Sequence, residues 1–89
     1  MRIVWATRAW RDYLYWQSSN PRVADKINRL IADIAANPFS GIGKPEPLKK
    51  DMTGWWSRRI DKEHRLVYRV AGMPRKDQRI EIAQCRYHY

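Results

Sequence analysis

The stretch NPRVADKINRLIADIAANP, residues 20–38, decides the fold because it predicts a long amphipathic helix. Asn20 is a good N-cap, and Pro21 suits the first helical position. Pro38 restricts the residue before it, so the helix ends near residue 37. One apolar face recurs at helical spacing and comprises Val23, Ile27, Leu30, Ile31 and Ile34. The side that we predict to be solvated carries Arg22, Lys26, Arg29 and Asp33.

A shorter helix over about residues 8–18 precedes this one, with Thr7 as its predicted N-cap. Four of its residues fall at helical spacing, which favours core packing over a ligand site: Trp10, Tyr13, Leu14 and Gln17. Residues 2–6 predict a short strand. Two helices joined by so short a break form a helical hairpin, which must bury its apolar face on a sheet made by the rest of the chain.

The second half of the chain predicts three strands, over residues 55–60, 64–70 and 79–87. Residues 38–54 and 71–78 are rich in turn-forming residues and predict loops. Alternation in the last strand turns Ile80 and Ile82 inward. Cys85 is predicted to be a small buried packing residue.

Turn length sets the register of the first hairpin. A three-residue turn at Asp61-Lys62-Glu63 pairs Ile60 with His64 and places Arg59 directly across from Arg65. The two guanidiniums repel each other unless an anion such as Glu46 or a bound phosphate lies between them. The alternative is that both are solvated. On the opposite face, Arg58 is grouped with Trp56, Leu66 and Tyr68.

Composition restricts the class of protein. The 89 residues predict one domain with a modest core, and 44% hydrophobic residues with five tryptophans suit a globular chain. A single cysteine excludes an internal disulfide framework and a cysteine-based zinc cluster. No apolar run approaches the ~20 residues that span a bilayer, and residues 1–5 lack a signal-peptide core. These features predict a cytoplasmic protein.

The chain is strongly basic, with 18 Lys and Arg against nine Asp and Glu and a net charge of +9. Residues 41–89 hold twelve of the basic residues and six of the acidic ones. Such an excess favours a polyanionic partner, most often nucleic acid, although an acidic protein fits the charge equally well. A membrane surface is disfavoured because no segment forms a basic amphipathic helix with a wide apolar face.

The tail Cys85-Arg86-Tyr87-His88-Tyr89 places an imidazole beside a guanidinium and two phenols. Histidine exchanges protons near neutral pH, whereas the alternative for such a tail is a fraying strand end. Glu46 lies between two prolines, which restrict its backbone. It is either a salt-bridged surface group or a positioned base. We interpret the other histidine, His64, as structural.

These residues make up the set needed for metal-free RNA cleavage. Glu46 is the candidate base for a 2′-OH that attacks its own 3′-phosphate, and His88 is the candidate acid for the leaving 5′-oxygen. Tyr89 can stack on a base or orient the phosphate. The positive groups that can hold the phosphorane charge are Arg59, Arg65 and Lys49. Neither a metal-ligand set nor a cofactor is expected, since only two histidines are present.

Two other classes of protein fit the same residues. One is a non-catalytic nucleic-acid-binding module that uses basic charge and exposed aromatic rings. The other is an interaction protein for an acidic partner, with the tail as its docking peptide.

Five blocks of sequence carry a resemblance to a known family. They are Asp12-Tyr13-Leu14-Tyr15-Trp16, Lys44-Pro45-Glu46-Pro47-Leu48-Lys49, Trp56-Ser57-Arg58-Arg59-Ile60, Glu63-His64-Arg65-Leu66-Val67-Tyr68 and Cys85-Arg86-Tyr87-His88-Tyr89. In order and spacing they closely resemble the YoeB (Txe/YoeB) family of bacterial toxins. The resemblance implies a RelE-like α+β fold, with two N-terminal helices packed on a twisted, mainly antiparallel sheet.

The resemblance also implies a function, namely a toxin of a type II toxin–antitoxin system that cleaves messenger RNA in the ribosomal A site. A cognate antitoxin would neutralise it, the pair would repress its own operon, and the toxin would form homodimers. By position, Glu46 matches the family's general base, His88 its general acid and Arg65 its phosphate-stabilising arginine. Tyr89 matches the terminal tyrosine, and the supporting basic positions are Lys49 and Arg59. The loop at 71–78 looks longer and more basic than in shorter members, which leaves its contacts open.

Overall fold

The computed structural model describes residues 1–88. Its elements are β1 (Arg2–Trp5), α1 (Thr7–Ser19), α2 (Pro21–Ala36), β2 (Glu46–Pro47), a 3-10 helix (Lys50–Met52), β3 (Trp56–Arg59), β4 (Arg65–Ala71) and β5 (Arg79–Gln84). The strands form one sheet in the order β1-β5-β4-β3-β2, with β1 parallel to β5 and the other neighbours antiparallel. None of the helices in this range is long and apolar enough to cross a bilayer. The predicted α+β architecture is confirmed.

α2 has the predicted bounds and the predicted buried face. It follows Asn20 as N-cap, begins at Pro21 and ends at Ala36. Its isoleucines and leucine enter the core, and Val23 packs at the edge of that core. Burying each such side chain stabilises the fold by about 1.5–3 kcal/mol. The buried cluster shared by helices and sheet contains Ala9, Trp16, Ala24, Ile27, Leu30, Ile31, Ile34, Ile60, Leu66, Tyr68, Ile80, Ile82 and Cys85.

α1 corrects two predictions. Thr7 is its first helical residue and Ala6 is the N-cap, so the assignment of Thr7 as the cap is wrong. Of the four predicted core residues, Tyr13 packs against the core, whereas the other three are exposed: Trp10 (45%), Leu14 (44%) and Gln17. The residues that α1 buries are Ala9, Asp12 and Trp16. This face packs Ala9 and Trp16 into the core, and its polar atoms bind the backbone of Cys85, a contact that helical periodicity alone does not encode.

The β3–β4 hairpin has the predicted register, with Arg59 opposite Arg65. Asp61 closes the turn, because its carboxylate accepts hydrogen bonds from the backbone N–H groups of Glu63 (2.8 Å) and His64 (2.7 Å). The short turn leaves both strands no freedom to slip past each other. The two arginines are therefore held on one face of the sheet.

Arg58 projects from β3 to the opposite face and is fully buried. The acceptors of its guanidinium are the Asp33 carboxylate, the backbone carbonyls of Ile42 (3.0 Å), Asn37 (2.6 Å) and Ser40 (2.8 Å), and the Tyr68 hydroxyl (3.2 Å). The expectation that Asp33 is solvated is wrong. A buried guanidinium requires a charged partner and acceptors for its remaining N–H groups. Here they come from the end of α2, from the segment after it and from Tyr68.

The same contacts shape the segment that follows α2. Gly41 has φ of +119°, and a Cβ there would lie 2.0 Å from a carboxylate oxygen of Asp33. The Tyr68 hydroxyl, while accepting from Arg58, donates to the carbonyl of Pro38 (2.8 Å). Burial raises the pKa of Tyr68, so this phenol keeps its proton at neutral pH.

Residues 38–54 are not a loop throughout, as the sequence predicts, because they contain β2 and the 3-10 helix. Glu46 pairs with Ser57 of β3, and the backbone N–H of Leu48 donates to the carbonyl of Trp55 (2.8 Å). Proline extends the backbone of the residue before it, and an extended segment can pair at a sheet edge. Because the segment is rich in turn-forming residues, its sequence did not indicate this short edge strand.

Replacing Arg58 with methionine is expected to lower the free energy of unfolding by about 3–5 kcal/mol, because it leaves a partly buried carboxylate and several carbonyls without their donor. Urea denaturation at neutral pH measures the loss. Arg29→Met on the exposed side of α2 is the matched control, with an expected change below about 0.5 kcal/mol. Equal losses in the two variants would contradict this role of Arg58.

The hydrogen bond from Arg58 and that from the backbone N–H of Ile42 hold the pKa of Asp33 below its ordinary value of 3.8. A lowered folded-state pKa stabilises the fold above the unfolded value, and this contribution disappears as pH falls through the folded value. The urea midpoint should therefore decrease on acidification between about pH 5 and pH 2, and Asp33→Asn should remove part of that decrease. Asp25→Asn, on the exposed side of α2, should leave it unchanged. Identical acid profiles for wild type and Asp33→Asn would refute the assignment.

Candidate active site

A polar pocket of about 210 Å³ lies on the sheet face that β3 and β4 turn away from Arg58. Its lining residues are Lys44, Glu46, Ser57, Arg59, Arg65 and His88. They come from β2 and the segment before it, from β3, from β4 and from the tail. Folding thus brings together four of the six predicted site residues, which are Glu46, Arg59, Arg65 and His88.

β2 carries Glu46 to the pocket. In the β2–β3 ladder Glu46 lies opposite Ser57, and just before it the carbonyl of Gly43 accepts a hydrogen bond from the backbone N–H of Arg59 (2.6 Å). Gly43 has φ of +79°, and a Cβ there would lie 2.7 Å from the side chain of Leu30. Glycine is therefore required for this close approach. The backbone of Glu46 is fixed on both sides of the residue, while its carboxylate stays exposed to solvent.

The pocket is dominated by positive charge. Arg59 and Arg65 face each other across β3 and β4, and Lys44 lines the same space. The guanidinium of Arg65 is restricted by a hydrogen bond from its Nη1 to the carbonyl of Asp61 (2.8 Å). Glu46 is the carboxylate among the lining residues, and its charge reduces the repulsion between the cations. Three cations and one carboxylate leave a net attraction for an anionic ligand.

The tail leaves the sheet earlier than the sequence predicts. β5 ends at Gln84, so the predicted strand to residue 87 is wrong. Side chains of α1 replace the ladder partners, since the N–H of Cys85 donates to the Asp12 carboxylate (3.1 Å) and the Trp16 indole donates to the Cys85 carbonyl (2.9 Å). Cys85 is buried, as predicted, and this burial raises its pKa to about 12. The residue therefore remains a thiol at neutral pH.

The residues after Cys85 are also tied down. The backbone N–H of Tyr87 donates to Nδ1 of His64 (2.7 Å), and the N–H of Arg65 donates to the Tyr87 carbonyl (3.1 Å). The side-chain amide of Gln84 donates to the carbonyl of His88 (3.1 Å). The alternative of a fraying strand end is wrong for this part of the tail. His64 has the predicted structural role, because its ring accepts a hydrogen bond from the backbone that leads to His88.

The remaining predicted residues lie elsewhere. Lys49 is exposed at the start of the 3-10 helix and is not among the lining residues, so its role stays a prediction. Tyr89 lies outside the described residues. Sequence reasoning did not select Lys44 and Ser57 for the site, although Ser57 shares the strand face of Arg59 two residues away. Within residues 1–88 no three His, Cys, Asp or Glu side chains group closely enough to hold a metal ion.

Comparison with known proteins identifies close relatives. The family model for the YoeB-like toxin of bacterial type II toxin–antitoxin systems matches residues 5–89. Toxin YoeB of Streptomyces coelicolor is 56% identical over 89 residues, and the alignment covers all of both chains. Toxin YoeB of Escherichia coli K12 is 53% identical, again over the full length of both.

Solved structures agree with the sequence comparison. The YoeB/ParE toxin from Agrobacterium tumefaciens superposes with a TM-score of 0.95 at 54% identity, over all of both chains. The YoeB dimer from Staphylococcus aureus has a TM-score of 0.89 at 46% identity, over 100% of this chain and 98% of that one. The heterotetrameric YoeB–YefM toxin–antitoxin complex of the same organism scores 0.88 at 46% identity with the same coverage. A chain of the RelBE2 toxin–antitoxin complex from Mycobacterium tuberculosis, at 20% identity and a TM-score of 0.68, shares the fold.

Asp12→Ala is expected to lower the free energy of unfolding by about 1–3 kcal/mol, because it leaves the buried N–H of Cys85 without an acceptor. Hydrogen exchange followed by NMR should show faster exchange at the Cys85 amide. Asp25→Ala, on the exposed side of α2, is the control and should leave that amide protected. Unchanged protection of Cys85 in Asp12→Ala would show that α1 does not hold the tail.

Proposed function

The chain belongs to the YoeB-like toxins of bacterial type II toxin–antitoxin systems, and from that membership we propose that it is a ribosome-dependent endoribonuclease that cleaves messenger RNA in the A site. Cleavage there would stop translation. The observation that carries the proposal is the pocket in which Glu46, Arg65 and His88 meet. A carboxylate, a guanidinium and an imidazole in one cationic pocket are the groups that phosphodiester cleavage through the 2′-OH requires.

Glu46 is the general base in this proposal. It removes the proton of a 2′-OH, and the resulting oxygen attacks the adjacent 3′-phosphorus. The P–O bond to the 5′-oxygen breaks as the new bond forms, which leaves a 2′,3′-cyclic phosphate on the upstream fragment. The firm backbone of β2 supports this role, because a base must be held within hydrogen-bonding reach of the proton that it takes.

His88 is the general acid. It delivers a proton to the departing 5′-oxygen, so the downstream fragment leaves as an alcohol rather than an alkoxide. Arg65 and Arg59 flank the same pocket and stabilise the negative charge that builds on the phosphorane. Preorganisation matters here, because donors that are already in place do not have to reorganise during the reaction.

Substrate selection follows from the same chemistry. DNA lacks the 2′-OH and should resist cleavage. The net charge of +9 supports binding to a polyanion, and Lys49 and Tyr89 are proposed as further contacts to the RNA. Cleavage in the ribosomal A site would require the protein to act in the cytoplasm, where translating ribosomes are found.

The proposed partners rest on the relatives. The YoeB–YefM complex of S. aureus supports a cognate antitoxin that neutralises this chain, and the S. aureus YoeB dimer supports a homodimer. Binding of the toxin–antitoxin pair to operator DNA, and repression of the operon, are proposed together with the antitoxin. The basic pocket suits an acidic antitoxin segment as its cover.

Glu46→Gln and His88→Ala are each expected to reduce mRNA cleavage by about 10²–10⁴-fold, because each removes one of the two proton transfers. Primer extension on a defined messenger RNA, with and without ribosomes, locates and quantifies the cut. Cosedimentation should show that both variants still bind ribosomes. Asp51→Asn, which changes an exposed carboxylate within the 3-10 helix, is the control and should cut normally.

The outcomes separate this proposal from its alternatives. A 2′-deoxynucleotide on the 5′ side of the cut should abolish cleavage without weakening binding. Equal cleavage by wild type and His88→Ala would leave an enzyme whose acid is another group. Absence of cleavage by the wild type, with RNA binding retained, would favour a non-catalytic nucleic-acid-binding module.

A further inference from the structure

The peptide groups of Tyr87 are held by two consecutive residues, His64 and Arg65. The N–H of Arg65 donates to the Tyr87 carbonyl, as in a β ladder. In an antiparallel pair two facing residues exchange both hydrogen bonds, so the ladder acceptor for the N–H of Tyr87 would be the carbonyl of Arg65. The imidazole of His64 takes its place and accepts the N–H of Tyr87 at Nδ1 (2.7 Å).

This contact selects one tautomer of the neutral His64 ring. An Nδ1 atom that accepts a hydrogen bond carries no proton, so the neutral ring carries its proton on Nε2. The ring also lies edge-on to Trp16 of α1, with centroids 4.8 Å apart, and is only partly exposed. Packing and hydrogen bonding therefore hold the imidazole in one orientation.

Tyr87 needs such support because its backbone is sterically disfavoured. Its φ is +66°, in the left-handed region that residues with a Cβ seldom adopt. Such conformations persist where the surroundings over-determine them. On the other side, the guanidinium of Arg86 lies 4.6 Å from the centroid of the Tyr87 ring and 3.6 Å from that of Tyr15. The left-handed residue changes the direction of the chain immediately before His88, which lines the pocket.

We propose that His64 is a positioning residue, whose Nδ1 holds Tyr87 in the left-handed conformation that brings His88 to the pocket. The proposal rests on the proposed function, because His88 is there the general acid. His64 itself acts only through the backbone of Tyr87. A displacement of about 1 Å in a reacting group can cost about 10²-fold in rate, so loss of this one acceptor should be visible in catalysis.

Two substitutions separate the acceptor from the ring. His64→Phe keeps an aromatic ring against Trp16 but removes the acceptor. His64→Asn loses the ring, yet its side-chain oxygen can take the place of Nδ1 and accept the N–H of Tyr87. If His64 serves only in packing, His64→Phe should keep more of the cleavage rate than His64→Asn. If His64 positions the tail, His64→Asn should keep more of it than His64→Phe.

The first measurement is single-turnover cleavage of ribosome-bound mRNA, with the rate separated from the concentration of toxin that gives half the maximal rate. His64→Phe should lower the maximal rate by about 10–10²-fold and leave the half-saturating concentration unchanged. His64→Asn should recover most of the rate. Tyr13→Phe, which removes a hydroxyl bonded to Asn28, is the control and should cut normally.

The second measurement does not depend on activity. In the free protein, hydrogen exchange at the Tyr87 amide should be fast in His64→Phe and slow in His64→Asn and wild type. In the wild type, the ring nitrogen chemical shifts of His64 should report a proton on Nε2 and none on Nδ1. The shifts need no variant, so they decide the assignment even if His64→Phe does not fold.

Each outcome has one meaning. A proton on Nδ1, or equal Tyr87 exchange in wild type and His64→Phe, overturns the contact itself. Fast exchange in a His64→Phe protein that still cuts at the wild-type rate overturns the positioning role. A wild type that does not cut mRNA overturns the proposed function, and with it the catalytic consequence, while the exchange data still decide whether His64 holds the tail.

Discussion

The buried guanidinium of Arg58 is the interaction on which the rest of the structure depends. Removing a guanidinium from water is costly, and the fold offsets that cost only where acceptors surround the whole planar group. The acceptors come from the last turn of α2, from the segment after it and from Tyr68 in β4. One side chain thereby joins the helical layer to the sheet. It also fixes the path of the chain toward Gly43, whose carbonyl pairs with Arg59 and starts the approach to Glu46.

The pocket lies on the other face of the same strands, so the core beneath the sheet fixes the positions of the strands that carry its side chains. Arg58 and Arg59 are neighbours that point to opposite faces, one into the core and the other into the pocket. The tail reaches the pocket through a different layer, because α1 contributes the groups that bind Cys85. Four of the lining side chains are exposed, namely Lys44, Glu46, Arg59 and His88, and their positions depend on contacts in the core beneath them.

Sequence patterns over a few neighbouring residues correctly predicted the elements that such short-range patterns determine. The apolar spacing of α2 and the short turn at Asp61 gave the right helix and the right register. The prediction that Asp33 is solvated is wrong for a different reason: its partner Arg58 lies 25 residues away in the sequence, and no periodic pattern links the two residues. The same holds for the end of β5, where Asp12 replaces a strand partner across 73 residues of sequence. Contacts between side chains and distant backbone are set by the packed structure and leave no repeat in the sequence.

The position of β5 has a consequence for how the protein is made. β5 lies between β1 and β4, although it is synthesised after both of them. While a ribosome is still producing residues 79–88, β1 has no strand beside it and the His64 ring has no backbone to bind. The sheet and the pocket can therefore be completed only after residues 79–88 have been made, by contacts of high sequence separation that form slowly. A nascent chain of this kind therefore contains Glu46 and the pocket arginines before His88, which completes the pocket, has been made.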